Sequence, residues 1–153
     1  MNKRDDLFII QIRLFRLSQL KWNKTAEECE EIFKQNKIFE YISTCYEIYH
    51  VQGDDANLAD IEKYLENNDV NVEINKDNSI VFSKYEYSME LLAAMASANI
   101  AKEKKISKTK AFLKFIKSQT GQMLFDESTD MWMNGPDYIA DEYRREMAAK
   151  KEL

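Results

Sequence analysis

A chain of 153 residues that holds only three glycines and one proline has few places where it can turn tightly. An all-β protein of this length would need many more turn residues, so the scarcity of chain breakers favours helices. Hydrophobic residues make up 44 % of the chain and charged residues 32 %, which is ample for a packed core and too apolar for disorder. The length suits one domain or two very small ones.

The first helix is predicted from a cap at Asp5 or Asp6 to about Lys21. Its apolar residues (Leu7, Phe8, Ile10, Ile12, Leu14, Phe15, Leu17) cover more than one face, which suits a central position. Phe8, Ile10, Ile12 and Leu14 also alternate as in a strand. Thr25 and Glu28 fit a capping box that opens a short helix to about Gln35. A third helix is predicted from Lys37 to about Tyr49, then a loop at Gly53-Asp54-Asp55, then a helix from Leu58 to Glu66.

Between Asn67 and Ser83 the pattern changes. Val70, Val72 and Ile74 alternate, Asn75 to Asn78 read as a turn, and Ile80, Val81 and Phe82 follow, which predicts a β-hairpin or linker. Beyond it, helices are predicted from Tyr87 to Lys104 (core candidates Leu91, Leu92, Met95, Ile100), from a cap at Ser107 to Ser118, and over Gly121–Phe125. The last runs from Pro136, a residue favoured at a first helical position, to about Lys150, with Tyr138, Ile139, Tyr143 and Met147 at helical spacing. The expected architecture is mainly α: a helical module over 1–68, a linker or β-hairpin over 69–84, and a second helical module over 85–153.

An offset of 82 residues takes Phe33 to Phe115, Tyr41 to Met123, Ile42 to Leu124, His50 to Trp132, Gly53 to Gly135 and the cap at Thr25 to that at Ser107. This suggests a degenerate tandem repeat of one helical module.

Nothing in the sequence spells a catalytic motif. His50 is the only histidine, and with no nucleophile pattern near it a hydrogen-bonded corner residue is the commoner role. Cys45 lies off its helical face, and Cys29 and Cys45 form neither a CxxC pair nor part of a His cluster, so they read as free thiols of a cytoplasmic protein. Asp54, Asp55 and Asp60 lack the alternation and closing Glu of a calcium loop, and Asp126, Glu127 and Asp130 read as a solvated turn. The three glycines are too far apart for a phosphate loop. No metal or other cofactor is therefore expected. The basic start of the chain, followed by an apolar run broken at Arg13 and Arg16, does not read as a signal peptide, and no run of eighteen apolar residues suggests a membrane span.

The formal net charge of −5 gives no general attraction to nucleic acid. Charge is uneven: residues 1–76 hold 10 basic and 15 acidic residues, and the remainder 12 of each. Seven lysines against one acid, Glu103, stand between Lys102 and Lys117, and Lys110, Lys114 and Lys117 share a helix face. Such a face is usually only solvated, and no interleaved aromatics support RNA binding. Two Gly-marked corners gather large amphipathic side chains beside polar loop residues, the kind that dominate binding hot spots. Their candidate partner-binding residues are Tyr46, Tyr49, His50, Gln52 and Gly53 in the first, and Trp132, Asn134, Asp137 and Tyr138 in the second.

The stretch with Thr25, Glu28, Ile32-Phe33, Ile38, Tyr41-Ile42, Tyr46, Tyr49-His50, Gln52-Gly53, Asp60-Ile61 and Tyr64-Leu65 resembles a family of small bacterial proteins known only as domain of unknown function three-seven-nine-one. The resemblance covers about residues 7–66. Tyr49-His50-Val51 stands where the family pattern has Leu-His-Thr, so no role for that hydroxyl carries over. The second half, with Lys117-Ser118-Gln119-Thr120-Gly121, Leu124-Phe125, Trp132 and Gly135-Pro136-Asp137-Tyr138, is similar to a second small module of the same gene neighbourhoods. Those neighbourhoods often hold a toxin-like protein with an ADP-ribosyltransferase-type domain. The resemblance therefore implies an antitoxin or accessory regulator. The expectation is a non-enzymatic protein-binding module whose partner is a cognate toxin, with a homodimer and a nucleic-acid-binding regulator using the Lys102–Lys117 face as alternatives.

Overall fold

The computed structural model describes residues 2–74 and 83–151, and they are mainly helical with no strand among them. The chain divides into two compact units, Met1–Phe82 and Ser83–Leu153. The first holds α1 (Lys3–Trp22), α2 (Ala26–Gln35), α3 (Ile38–Thr44), α4 (Tyr46–Tyr49) and α5 (Asp54–Asn67). The second holds α6 (Glu86–Lys104), α7 (Lys108–Lys117), α8 (Gln119–Leu124), two 3-10 turns (Glu127–Thr129 and Met131–Met133) and α9 (Pro136–Lys151).

The chain ends its helices without glycine. Asn23, Lys37, Asp69, Lys105 and Asp130 take the left-handed conformation, whereas no glycine has positive φ. Short polar side chains tolerate that region best, and Asn and Asp supply three of the five positions. Few glycines thus still permit many turns.

In the first unit α1 is buried on several faces, from Phe8 and Ile12 through Phe15 to Trp22. It is a helix throughout, and its cap is Asn2, whose side chain accepts from the Asp5 N–H, rather than Asp5 or Asp6. The Thr25–Glu28 capping box forms with both of its hydrogen bonds. Phe33 of α2 sits at the centre of an aromatic cluster, its ring 5.0 Å from both Phe15 and Phe39 and 6.4 Å from Trp22. Full burial of such a side chain stabilises by about 2–3 kcal/mol. The third predicted helix breaks at Cys45 into α3 and α4, and α5 begins at Asp54, so Asp54 and Asp55 form its first turn rather than a loop.

The expected hairpin does not form in its described limb. Asp69 turns left-handed, the Val70 N–H closes α5 on the Leu65 carbonyl at 2.9 Å, and residues 70–74 have no regular structure. Val70 and Val72 share a groove with Trp22 and Leu65 instead of facing a paired strand. The return limb, Ile80 to Phe82, lies outside the described residues.

In the second unit α6 carries small buried residues, Ala93, Ala94, Ala96, Ser97 and Ala101, which let α7 and α9 approach closely. Phe112, Phe115, Ile116, Leu124, Ile139 and Tyr143 fill the space around them. Met95, expected in the core, is exposed, because it lies on the outward side of its helix. The starts of α2 and α7, Ala26 and Lys108, differ by 82 residues, and the other elements follow in the same order at nearly that spacing. Buried side chains at equivalent positions often differ in type, as with Phe15 and Ser97 or Glu30 and Phe112. The likeness is one of order and length; a tandem repeat in the stricter sense is a further claim.

Glu146 of α9 caps α8 from a distance. Its carboxylate accepts from the N–H groups of Gln119 (3.0 Å) and Thr120 (2.8 Å), the Thr120 hydroxyl (2.7 Å) and Lys150 (2.8 Å). Burial opposes its ionisation, but the bonds from Lys150, Thr120 and Gln119 outweigh that and bring its pKa down to about 2. Because the folded pKa lies below the unfolded one, the stabilisation is complete above about pH 4.5 and is lost as pH falls toward 2. Part of the group is solvated, so we expect about 1–2 kcal/mol to be lost across that window. Glu146→Gln should remove that part of the acid dependence when urea midpoints are compared at pH 6 and pH 3. Equal slopes in both proteins would refute the assignment.

Candidate functional site

The corner between α4 and α5 is held by three tyrosines reaching carboxylates far along the chain. One oxygen of Asp60 accepts from the hydroxyls of Tyr49 at 2.5 Å and Tyr41 at 2.9 Å. Tyr41 stacks on Tyr64 with ring centroids 4.1 Å apart, and the Tyr64 hydroxyl donates to the Asn36 carbonyl at 3.0 Å. Burial first, and then the bond to Asp60, raises the pKa of both Tyr41 and Tyr49. Tyr46 donates to Asp6 at 2.7 Å, which with partial burial pushes its phenol up to about 12. These phenols remain donors at neutral pH and act as clamps, not nucleophiles.

Beneath the turn, buried Asn57 donates to the Tyr49 carbonyl at 3.0 Å and accepts from Gln52 at 2.9 Å. Gly53 caps α5 in an extended conformation that any residue could adopt, with nothing within 4 Å of an added Cβ. The His50 ring stacks on Tyr46 with centroids 4.7 Å apart and planes 7° from parallel. Its Nε2 lies 3.9 Å from Glu47, and its side chain is 34 % exposed.

Of the residues singled out in the sequence, Tyr46 and Tyr49 thus face inward, and His50, Gln52 and Gly53 lie at the surface. The apolar side chains that project outward are Ile48, 60 % exposed, and Val51, 76 % exposed. Sequence reasoning missed both. Their signal is the three-residue spacing opposite Tyr46 and Tyr49, which puts the two pairs on opposite sides of one turn.

The second corner is built differently. Trp132 lies flat on Tyr85, centroids 3.9 Å apart, and donates to the Glu127 carbonyl at 3.1 Å. Asn134 folds back to donate to the Met131 carbonyl at 3.2 Å. Asp137 accepts from Asn99 at 3.2 Å. Tyr138 is 47 % exposed, and Met133, not singled out in the sequence, is 69 % exposed. On α7, Lys110 and Lys114 are exposed and Lys117 is half-buried.

Among the described residues no three His, Cys, Asp or Glu side chains are grouped to hold a metal ion. Cys29 is buried under α1, where loss of solvent raises its pKa well above the usual thiol value, with Arg16 opposing weakly. No described helix is long and apolar enough to cross a membrane. The arrangement offers a corner held by hydrogen bonds with apolar side chains on its outer side. No curated protein and no solved structure matches the chain. Residues 11–68, from within α1 to just past the end of α5, match the model of the family described as Protein of unknown function (DUF3791), and the corner lies within that match.

Proposed function

We propose that this chain is a non-enzymatic protein-binding module that neutralises or regulates a toxin, and that the α4–α5 corner is its docking surface. The observation that carries the reading is the outward pair Ile48 and Val51 on a turn fixed by Tyr46–Asp6, Tyr49–Asp60 and Asn57. A surface whose backbone is already ordered loses little entropy on binding, and exposed apolar side chains at its centre contribute most of the affinity. The acidic balance of residues 1–76 favours a basic partner surface and would speed encounter. A degenerate copy of the same module explains why Met133 stands 82 residues beyond Val51 and is equally prominent.

Co-expression with the product of an adjacent gene, followed by pull-down and a growth assay, tests the proposal. We expect a complex that relieves toxicity. Val51→Asp combined with Ile48→Asp should weaken it at least about tenfold, since two desolvated anions oppose docking, while the melting temperature stays unchanged. Absence of a complex at micromolar concentration would overturn the reading. Salt-dependent DNA or RNA binding, lost on changing Lys110, Lys114 and Lys117 to Glu, would put the regulator alternative in its place.

A further inference from the structure

The second unit carries a groove of about 490 Å3 at the ends of α6 and α9. Its floor is apolar, with Ile100 and Tyr143 buried and Met147 half-buried. Lys104, Lys114, Lys150 and Lys151 stand around it, and no acidic residue lines it among the described residues. Lys150 is paired with Glu146 at 2.8 Å. An apolar floor inside a cationic rim suits a ligand that is apolar in part and anionic in part.

The first unit shows what kind of ligand. A groove of about 510 Å3 lies at the corresponding ends of α1 and α5. Three of its lining residues, Trp22, Leu65 and Asp69, stand 82 positions before Lys104, Met147 and Lys151. Here the protein's own chain supplies a wall: Val70, Val72 and Ile74 line the groove after α5 ends. Val70 and Val72 are half-buried and Asn71 and Glu73 exposed, the period of an extended strand over these four residues, with Ile74 at the exposed edge of the groove. Acidic side chains, Glu62, Glu66 and Asp69, stand around this groove where the second has lysines. The first groove is thus flanked by a non-helical apolar segment of its own chain; the second has a similar placement at the helix ends, a basic rim and no such segment among its described lining residues.

We infer that the lysine-rimmed groove of the second unit binds a non-helical peptide segment of a partner protein, with apolar side chains alternating with carboxylates. The apolar side chains would rest on Tyr143 and Met147, and the carboxylates would face Lys104, Lys114 and Lys151. This site is separate from the α4–α5 corner and does not depend on the role proposed there.

The test is a fluorescence anisotropy titration of the full chain with a labelled hexapeptide, Asp-Val-Asn-Val-Glu-Ile, the sequence of residues 69–74. We expect saturable binding in the micromolar range that weakens with salt. The double charge reversal Lys114→Glu with Lys151→Glu should weaken it at least about tenfold, and so should replacing the peptide's carboxylates by amides. Val51→Asp should bind the peptide like the parent protein, so failure of the toxin reading leaves this result intact. A benzophenone in place of one peptide valine should cross-link to Met147. No binding at about 1 mM, or binding indifferent to the lysine reversals, would overturn the inference. Displacement of the peptide by decanoate at lower concentration than the peptide itself requires would assign the groove to a small amphipathic acid instead.

Discussion

Gly121→Ala is expected to destabilise the second unit by about 2–3 kcal/mol, despite the higher helix propensity of alanine. A Cβ at this position would lie 2.0 Å from the Phe115 carbonyl oxygen, 2.9 Å from its carbon and 3.0 Å from the Ile116 Cα. All three are backbone atoms of the last turn of α7, so no side-chain rotation relieves the clash. The Phe115 carbonyl is also held in place, accepting from the Ser118 hydroxyl at 2.5 Å and the Ser118 N–H at 3.0 Å. The same hydroxyl accepts from the Gly121 N–H at 3.0 Å, and a shift of α8 would break this junction as well. Moving α8 would further pull Thr120 from the Glu146 carboxylate. Urea unfolding followed by circular dichroism measures the loss. Gly53→Ala and Gly135→Ala are the controls, since nothing lies within 4 Å of either added Cβ, and both should lose no more than about 1 kcal/mol, the ordinary cost of alanine at a helix N-cap. A Gly121→Ala midpoint equal to the parent's would show that α8 docks less closely on α7 than these distances require.

Helix positions were largely legible in the sequence because their signals are local. The capping box at Thr25 and Glu28, the cap at Ser107 and the proline opening α9 each depend on residues within one turn. Phe112, Phe115 and Ile116 read as inward residues because they lie on the apolar side of a short amphipathic helix, and all three are buried. The break at Cys45 left no such trace. Neither glycine nor proline marks it, and the Cys45 N–H simply shares the carbonyls of Tyr41 and Ile42. The start of α5 carries a signal that reads two ways: Asp54 and Asp55 after Gly53 look like a loop, but acidic residues also suit a first helical turn. At Val70 to Ile74 alternation was real but does not amount to pairing, since a strand needs a partner and the described residues supply none. The outer side of the corner was misjudged for a non-local reason. Tyrosine is the commoner hot-spot residue, and only Asp6 and Asp60, 40 and 11 residues away, draw these hydroxyls inward and leave Ile48 and Val51 outside.

That dependence makes Asp60→Leu the most informative change in the first unit, with an expected loss of about 2–4 kcal/mol. The buried Tyr49 hydroxyl would keep its proton and have no acceptor, and leaving such a donor unpaired costs its full desolvation. The Tyr41 hydroxyl, less deeply placed, can turn to water and adds less. Asp60→Asn retains an acceptor and should recover roughly half of the loss, because a charge-assisted bond is about twice as strong as a neutral one. The pairing itself is tested by Tyr49→Phe, which should cost about 1–2 kcal/mol alone and close to nothing in the Asp60→Leu background. Additive losses would mean that Asp60 stabilises the fold by some other route. The same variants separate rigidity from contact. Asp60 lies under the corner and Val51 on its outer side, so Asp60→Leu should weaken partner binding through a loosened turn, with lower melting temperature, whereas Val51→Asp weakens it with the melting temperature intact. Partner affinity unchanged in Asp60→Leu would show that binding does not use a preformed corner, and would move the search for the interface away from Ile48 and Val51.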